Sequence, residues 1–386
     1  MKILRVISST RLENGGPING LINSTAGLVK LGHSIEVACL DDPRLAHLKK
    51  LPFKTYAFSS KWGVLMYSSA YKNWAQQNIQ NYDLVIIHGL WQYHSYITAK
   101  YCQQLGVPYF LFVHGMLDPW FNTIHWAKTL KKKLYWWAVE KGVVANADQV
   151  LFTSETEKEL ARTSFWPYRA RERVVSYGCS VPSVQTNSLL EKFYTSYPDL
   201  KGKKFGLFLS RIHEKKGLDL LVHALPEIVD EFPDLVIVIA GPDSVNLKQS
   251  LVASAESLGV SGNLKWVGML QGDFKWGALA ASDFFILPSH QENFGIAVAE
   301  ALAMQTPVLI SDKVNIWQEI SAYRAGLVEA DTLEGVVQLL QQWLSLSQSE
   351  QDRMSINAGK CYNENYSMDA AIHDLNSLIN DYSAKK

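Results

Sequence analysis

Short apolar runs alternate with longer amphipathic segments along almost the whole chain. Residues 3–7, 35–40, 84–87, 109–113, 150–152 and 174–175 form such runs and predict strands, while 21–31 and 129–144 repeat apolar positions at helical spacing. Most of these runs are continuously apolar rather than alternating, which suits parallel strands covered on both faces. Strand, helix, strand in this rhythm is the βαβ unit. Between 181 and 204 the rhythm breaks on Pro182, Ser183, Thr186, Asn187, Ser188, Pro198 and Gly202, which predicts an interdomain linker. A second set of runs follows at 205–209, 235–240, 264–267, 284–287 and 308–310, separated by helical patterns such as 217–229 and 296–304. The tail from Thr332 to Tyr382 reads as helix with no further strand. The pattern predicts an α/β protein of two successive Rossmann-like, doubly wound sheets, one within residues 1–180 and one within 205–366.

Composition narrows the partners. A chain of 386 residues has room for two average domains, and 47% hydrophobic with 19% charged residues is ordinary globular usage, so disorder is excluded. A formal net charge of +0 leaves no global field to recruit nucleic acid or an anionic membrane, and any such partner would need a local patch. Cys39, Cys102, Cys179 and Cys361 contain no C-x-x-C pair, which supports neither a zinc site nor a disulfide framework and fits a reducing cytoplasm. The opening MKILRVISST is too short in apolar residues for a secretory segment, and no run approaches the ~20 residues of a membrane span.

Open parallel sheets bind ligands beyond the carboxyl ends of their strands. In the first half that rule selects Ser8 to Gly16, His88, His114 and Ser154. In the second it selects Arg211, Gly241, Pro242, Gly268, Met269 and the stretch from Ser289 to Gly295. Two such rims facing each other would make one interdomain cleft, a usual location for a ligand. Gly15-Gly16-Pro17 follows the first strand and opens a helix, so the backbone there either approaches an anion or merely turns. Its spacing is not G-x-G-x-x-G, since Gly20 stands four residues after Gly16. Arg211 ends a strand and Lys216-Gly217 opens the next helix; this suits a diphosphate, although solvated surface cations would look the same. Glu292 lies in a loop, and Glu300 lies in a helix otherwise made of Ile296, Ala297, Val298, Ala299 and Ala301. A carboxylate on so apolar a helix is costly unless it accepts hydrogen bonds, which sugar or ribose hydroxyls would supply; a structural role is the alternative.

Taken as an ordered set, these residues resemble a known signature. Glu292 and Glu300 at E-x7-E spacing with Asn293-Phe294-Gly295 just inside, Arg211 with Lys216-Gly217, and the Gly15-Gly16 loop look like those of retaining glycosyltransferases of family 4 with the GT-B fold. The run His114-Gly115-Met116-Leu117-Asp118-Pro119-Trp120 resembles a segment frequent in bacterial members that build exopolysaccharides and other surface glycans. The resemblance spans essentially the whole chain. It implies two Rossmann-like domains facing an interdomain cleft, with a last helix around 367–382 returning to the N-terminal domain. It further implies sugar transfer from a nucleotide-sugar, a UDP-sugar by family frequency, to a saccharide or lipid-linked saccharide. No metal or other cofactor is implied, because Arg211 and Lys216 would neutralise the leaving diphosphate. Glu300 would then hydrogen-bond the ribose, and Glu292 would face the donor sugar beside the amides of Asn293, Phe294 and Gly295. His114 would contact that sugar, Gly15 and Gly16 the phosphates or acceptor, and Gly268, Met269 and Leu270 the base. Retention would resemble the family's same-face substitution, in which the leaving phosphate helps deprotonate the acceptor. Asn293 stands where many relatives have glycine, and Lys215 beside Lys216 leaves the choice of phosphate lysine open.

Other signals carry less. His88, His94 and His114 invite a zinc reading, but no acidic ligand spacing accompanies them. Asp118 either meets the acceptor hydroxyl or caps the turn before Pro119. Residues 126–137 are basic and aromatic: the expectation is a helix with Leu134 and Trp137 in the core, the alternative a peripheral contact with anionic lipid at the inner membrane face. A UDP-sugar epimerase of the same shape, or a nucleotide-sugar-binding protein without turnover, would share most of these residues. A dehydrogenase would not, since neither glycine loop fits the dinucleotide pattern.

Overall fold

The computed structural model describes residues 1–11, 16–61, 63, 65–122, 126–182 and 184–384. The chain divides into two compact units, Met1–Gly178 with Met368–Lys386, and Cys179–Ser367.

The first unit holds a seven-stranded sheet: β1 (Lys2–Ile7), β2 (Ser34–Cys39), β3 (Lys54–Ala57), β4 (Leu84–His88), β5 (Tyr109–Phe112), β6 (Gln149–Phe152) and β7 (Glu172–Val174). All neighbours are parallel, in the order β3-β2-β1-β4-β5-β6-β7. Apolar residues dominate the interior strands, with Arg5 in β1 and Glu36 in β2 as exceptions, and β4 and β5 are buried along their whole length. Strand β3 was not expected. Its sequence, KTYA, is exposed or half-buried at a sheet edge, so burial never demanded an apolar run.

Each face of this sheet has its own core. On one side Leu4, Val6, Val85, Ile87, Tyr109 and Leu111 join helix residues such as Ile97 and Cys102. On the other, Ile3, Ile86, Phe110 and Leu151 meet Leu375, Leu378 and Ile379 of the last helix, Met368–Ala384. That helix therefore belongs to the N-terminal unit, as the resemblance implies. Burial of three such side chains contributes roughly 1.5–3 kcal/mol each. Polar contacts set its position: Asp374 accepts from Ser176 N at 2.8 Å and Tyr382 Oη donates to Asp148 at 2.7 Å.

The second unit holds a six-stranded sheet: β8 (Phe205–Leu209), β9 (Val236–Ala240), β10 (Leu264–Gly268), β11 (Phe284–Leu287), β12 (Val308–Ser311) and β13 (Gly326–Glu329). It too is parallel, ordered β10-β9-β8-β11-β12-β13. Edge strand β13 was also missed, for the same reason as β3: its four residues are only half-buried. The stretch 181–204 is not a bare linker. It carries a helix, Thr186–Ser196, whose Leu189 and Phe193 are buried and whose backbone lies so close to Gly277 that an added Cβ would meet Leu189 O at 2.5 Å. Turn-forming residues at its two ends masked two core side chains between them. Among the described residues no helix is long and apolar enough to cross a membrane.

Candidate functional site

In each sheet the chain winds outward in both directions from its first strand, reversing between β1 and β4 and between β8 and β11, and at such switch points loops splay apart to open a crevice. In the first unit the crevice is a cavity of about 580 Å³ whose lining includes Ser8, Ser9, Asp41, His88, Gln92 and His114. Asp41 follows β2 and is buried; its Oδ1 accepts from Ser9 Oγ at 2.7 Å and its Oδ2 from Thr10 N at 2.6 Å and Thr10 Oγ1 at 2.8 Å. It thereby holds the loop after β1 in shape while facing the cavity.

His114 sits past the end of β5 with φ of 49°, a conformation a non-glycine residue adopts only when its surroundings enforce it. The enforcement comes from buried Glu157 on the helix Glu155–Ser164. Its two oxygens accept from Gly115 N at 2.5 Å, Thr153 N at 2.6 Å and Thr153 Oγ1 at 2.7 Å. The His114 ring is stacked on Phe112, centroids 5.3 Å apart, and His88 Nδ1 lies 3.0 Å from His114 Nε2. Desolvation first, and the nearby Arg5 cation second, push the His114 imidazole well below its usual range, so the ring is neutral at physiological pH.

In the second unit the loop after β8 and the loop after β11 are zipped together. His290 N donates to Lys215 O at 2.8 Å, Lys215 Nζ reaches Gln291 Oε1 at 3.4 Å, and Lys216 Nζ forms a close ion pair with Glu292 Oε2. Of the adjacent lysines, Lys216 is the buried one and the one held against a carboxylate, whereas Lys215 points at an amide. Arg211 is exposed just past β8. The backbone of Glu292 is fixed from the other side, its N donating to Lys313 O at 3.0 Å and its O accepting from Asn315 N at 3.0 Å. Gly295, with φ of 70°, caps the helix Ile296–Ala303 in a left-handed conformation. Glu300 lies on that helix and accepts from Lys275 Nζ at 2.6 Å. The hydrogen bond demanded by a carboxylate on so apolar a helix thus comes from the protein, and its burial alone does not require a ribose.

The remaining expected residues fall out as follows. Gly15 lies outside the described residues, and Gly16 begins the helix Gly16–Lys30. Gly268 ends β10 with φ of 73°, followed by exposed Met269 and buried Leu270. Asn293 Oδ1 accepts from Asn315 Nδ2 at 3.4 Å, while Phe294 is buried edge-on against Tyr366. Asp118 is buried and accepts from Trp120 N at 2.8 Å, as a turn cap does, and the carboxylates that line the cavity are Asp41 and Asp42. Asp41 escaped the sequence reading because its place depends on β2 lying beside β1. In the basic–aromatic segment the expectation is reversed. Trp136 is the core tryptophan, whereas Leu134 and Trp137 are 64% and 65% exposed. A π-helical turn at Trp136–Glu140 shifts the helical phase there by a residue. Among the described residues no group of three or more His, Cys, Asp or Glu is arranged to hold a metal ion.

Two doubly wound parallel sheets, each with polar groups at the carboxyl edge of its switch point, make up the GT-B fold, and the family matches make the chain a glycosyltransferase. Comparison with known proteins agrees across most of the chain. Residues 15–178 match the glycosyl transferase 4-like domain and residues 195–360 match glycosyl transferases group 1, and it is to this family that the chain belongs. An uncharacterized glycosyltransferase of Methanocaldococcus jannaschii is 25% identical over 74% of this chain and 73% of that protein. A D-inositol 3-phosphate glycosyltransferase of Gordonia bronchialis is 26% identical over 63% of this chain, a match that spans about half of that relative, 54%. Among solved structures, Anabaena HepE in complex with UDP and glucose superposes with a TM-score of 0.77 at 17% identity, covering 99% of this chain and 100% of that one.

Proposed function

We propose that the protein is a retaining, metal-independent hexosyltransferase that moves a sugar from a UDP-sugar to a saccharide or lipid-linked saccharide during surface-polysaccharide synthesis. The observation that carries this reading is the arrangement around Lys216: a buried cation paired with Glu292 at the carboxyl edge of the second sheet, in the same loop after β8 that carries exposed Arg211. Fixed positive charge placed where a diphosphate departs stabilises the transition state more than the ground state. In the proposed reaction the bond from the anomeric carbon to the phosphate oxygen breaks as the bond to the acceptor oxygen forms on the same face. The acceptor's proton passes to the departing phosphate. Lys216 exchanges Glu292 for the diphosphate, and Glu292 turns to the sugar.

The choice of uridine is supported by the UDP bound in HepE. The acceptor is proposed to meet the N-terminal unit, whose cavity is lined by Asp41, Asp42 and serines against a single strong cation, Arg11, and so suits a neutral polyol better than a phosphate. Residence at the inner face of a membrane is supported by the surface of that unit. Leu130, Leu134 and Trp137 are 54%, 64% and 65% exposed along one helical face, with Lys131 and Lys133 exposed beside them.

The test is a panel of UDP-, GDP- and ADP-sugars in EDTA, scored for nucleoside diphosphate release with and without saccharide acceptors. Release from at least one donor is expected, rising with acceptor. Isomerised donor without release would replace the transferase reading with an epimerase, and full activity only on adding a divalent cation would remove the metal-independent mechanism.

A further inference from the structure

Arg5 stands in the middle of β1 and is fully buried, yet all its hydrogen-bond partners among the described residues are neutral. Its Nη1 donates to Leu21 O at 3.1 Å, Ser24 Oγ at 2.7 Å and Thr25 Oγ1 at 2.9 Å, all on the helix that follows β1. Its Nε and Nη2 approach a single atom, His88 Nε2, at 3.3 and 3.1 Å. Burial lowers its pKa to about 10, so it remains a cation at neutral pH. A guanidinium has five N–H groups and no lone pair, hence His88 Nε2 accepts and carries no proton. A neutral His88 then holds its proton on Nδ1. That atom lies 3.0 Å from His114 Nε2, which in turn accepts. The proton of His114 is therefore on Nδ1, for which no protein acceptor is found among the described residues, and the ring lines the cavity.

The geometry leaves the rings little freedom. Both are stacked on Phe112 at 5.1 and 5.3 Å, and Tyr177 stands edge-on to His114 at 6.0 Å. The only other titratable group bonded to either residue among those described is His94, whose Nε2 meets the carbonyl of His88 at 3.0 Å. Among the described residues no hydrogen bond links either ring to a carboxylate that would favour the imidazolium.

We propose that Arg5 and His88 are positioning residues that fix His114 as a hydrogen-bond donor, its Nδ1–H directed to a hydroxyl oxygen of the bound sugar. The inference rests on the transferase reading for the sugar, but the tautomers do not. Two consequences follow. His114 cannot serve as a general base, because the nitrogen left for the ligand already bears a proton. Specificity at that position favours a sugar carrying a free hydroxyl over its deoxy counterpart, since the donor would otherwise be left unpaired.

The experiment is long-range proton–nitrogen correlation of the histidine rings in the intact, ligand-free protein between about pH 5 and 8, with assignments from His88→Gln. Wild-type His88 and His114 are expected in the Nδ1–H form throughout, without titration. A His114 ring protonated at Nε2, or titrating as an ordinary imidazole, overturns the proposal whatever the donor panel shows. For turnover, Arg5→Met should mix the tautomers and lower kcat roughly tenfold with little change in KM. His88→Gln, whose amide can accept from Arg5 and donate to His114, should restore most of the activity that His88→Phe loses. Equal loss in the Gln and Phe variants would reduce Arg5 and His88 to packing.

Discussion

Gly217 joins the fold to the chemistry, and replacing it with alanine tests both. It terminates the turn Glu214–Lys216 with φ of 63°, and a Cβ built there would lie 1.9 Å from Pro288 O. Real carbon–oxygen contacts rarely fall below ~3.3 Å, so the two backbones would have to part by more than an ångström. Those backbones are the loops that carry Lys216 and Glu292. Separation breaks the bond from His290 N to Lys215 O, costing about 1 kcal/mol, and the left-handed conformation costs alanine about 1 kcal/mol more. The Lys216–Glu292 pair, with side chains 10% and 21% exposed, is screened enough that its loss contributes only about another 1 kcal/mol.

The expected destabilisation of the C-terminal unit is thus about 3 kcal/mol. For a unit of this size that corresponds to a midpoint lower by roughly 6–12 °C in thermal unfolding. The two units need not melt together, so the transition should be followed with a probe in the C-terminal one, such as Trp343 fluorescence. Donor turnover should fall with it, because the cation moves with the loop. A Gly217→Ala protein that melts within about 2 °C of wild type would show that the close approach of the two loops is not what the sequence builds.

Three further outcomes are expected. Lys216→Met should lower kcat/KM for the donor about a hundredfold, the usual loss on removing one fixed charge from the leaving group, whereas Lys215→Met should change it less than threefold; steady-state diphosphate release separates the two. Burial raises the Glu140 carboxyl to about 7 despite the bond from Trp91 N at 2.8 Å, and its Oε2 has no partner among the described residues. The folded state therefore keeps a proton that the unfolded chain has shed above about pH 4.3, and stability drops by on the order of 3 kcal/mol as pH rises from there through 7; Glu140→Gln should flatten that slope in denaturant titrations at several pH values. Sedimentation with anionic vesicles should weaken about thirtyfold when Lys131 and Lys133 are both changed to Gln, each lysine near such a surface contributing ~1 kcal/mol, and unchanged binding would remove the membrane contact.

What could be read from the chain was what neighbouring residues decide together. Buried strands such as β4 and β5 must be apolar at nearly every position, so most strands and their order of appearance were plain, as was the last helix with its repeat of Leu375, Leu378 and Ile379. Edges were not plain, because KTYA in β3 and GLVE in β13 are only partly covered and need no apolar run. Adjacent Trp136 and Trp137 could not be told apart while a regular helix was assumed, since one residue of slippage in a π-turn exchanges the buried for the exposed ring.

The site shows the same division at a longer range. Glu292, Arg211 and Lys216 stand at the ends of elements, where the sheet rule points, and Glu300 on the helix that follows, yet nothing in their spacing says that Lys216 and Lys275 already hold the two carboxylates. Arg5 is the sharpest case. A cation at the centre of an apolar strand breaks the pattern, and with five N–H groups to satisfy it must have acceptors brought to it by the fold. Those acceptors come from 16 to 83 residues away, on the following helix and on β4, so the anomaly was visible in the sequence while its solution was not. A charge that breaks a strand's pattern is therefore worth reading as a demand for partners, and here the partner it orders is the histidine that reaches the cavity.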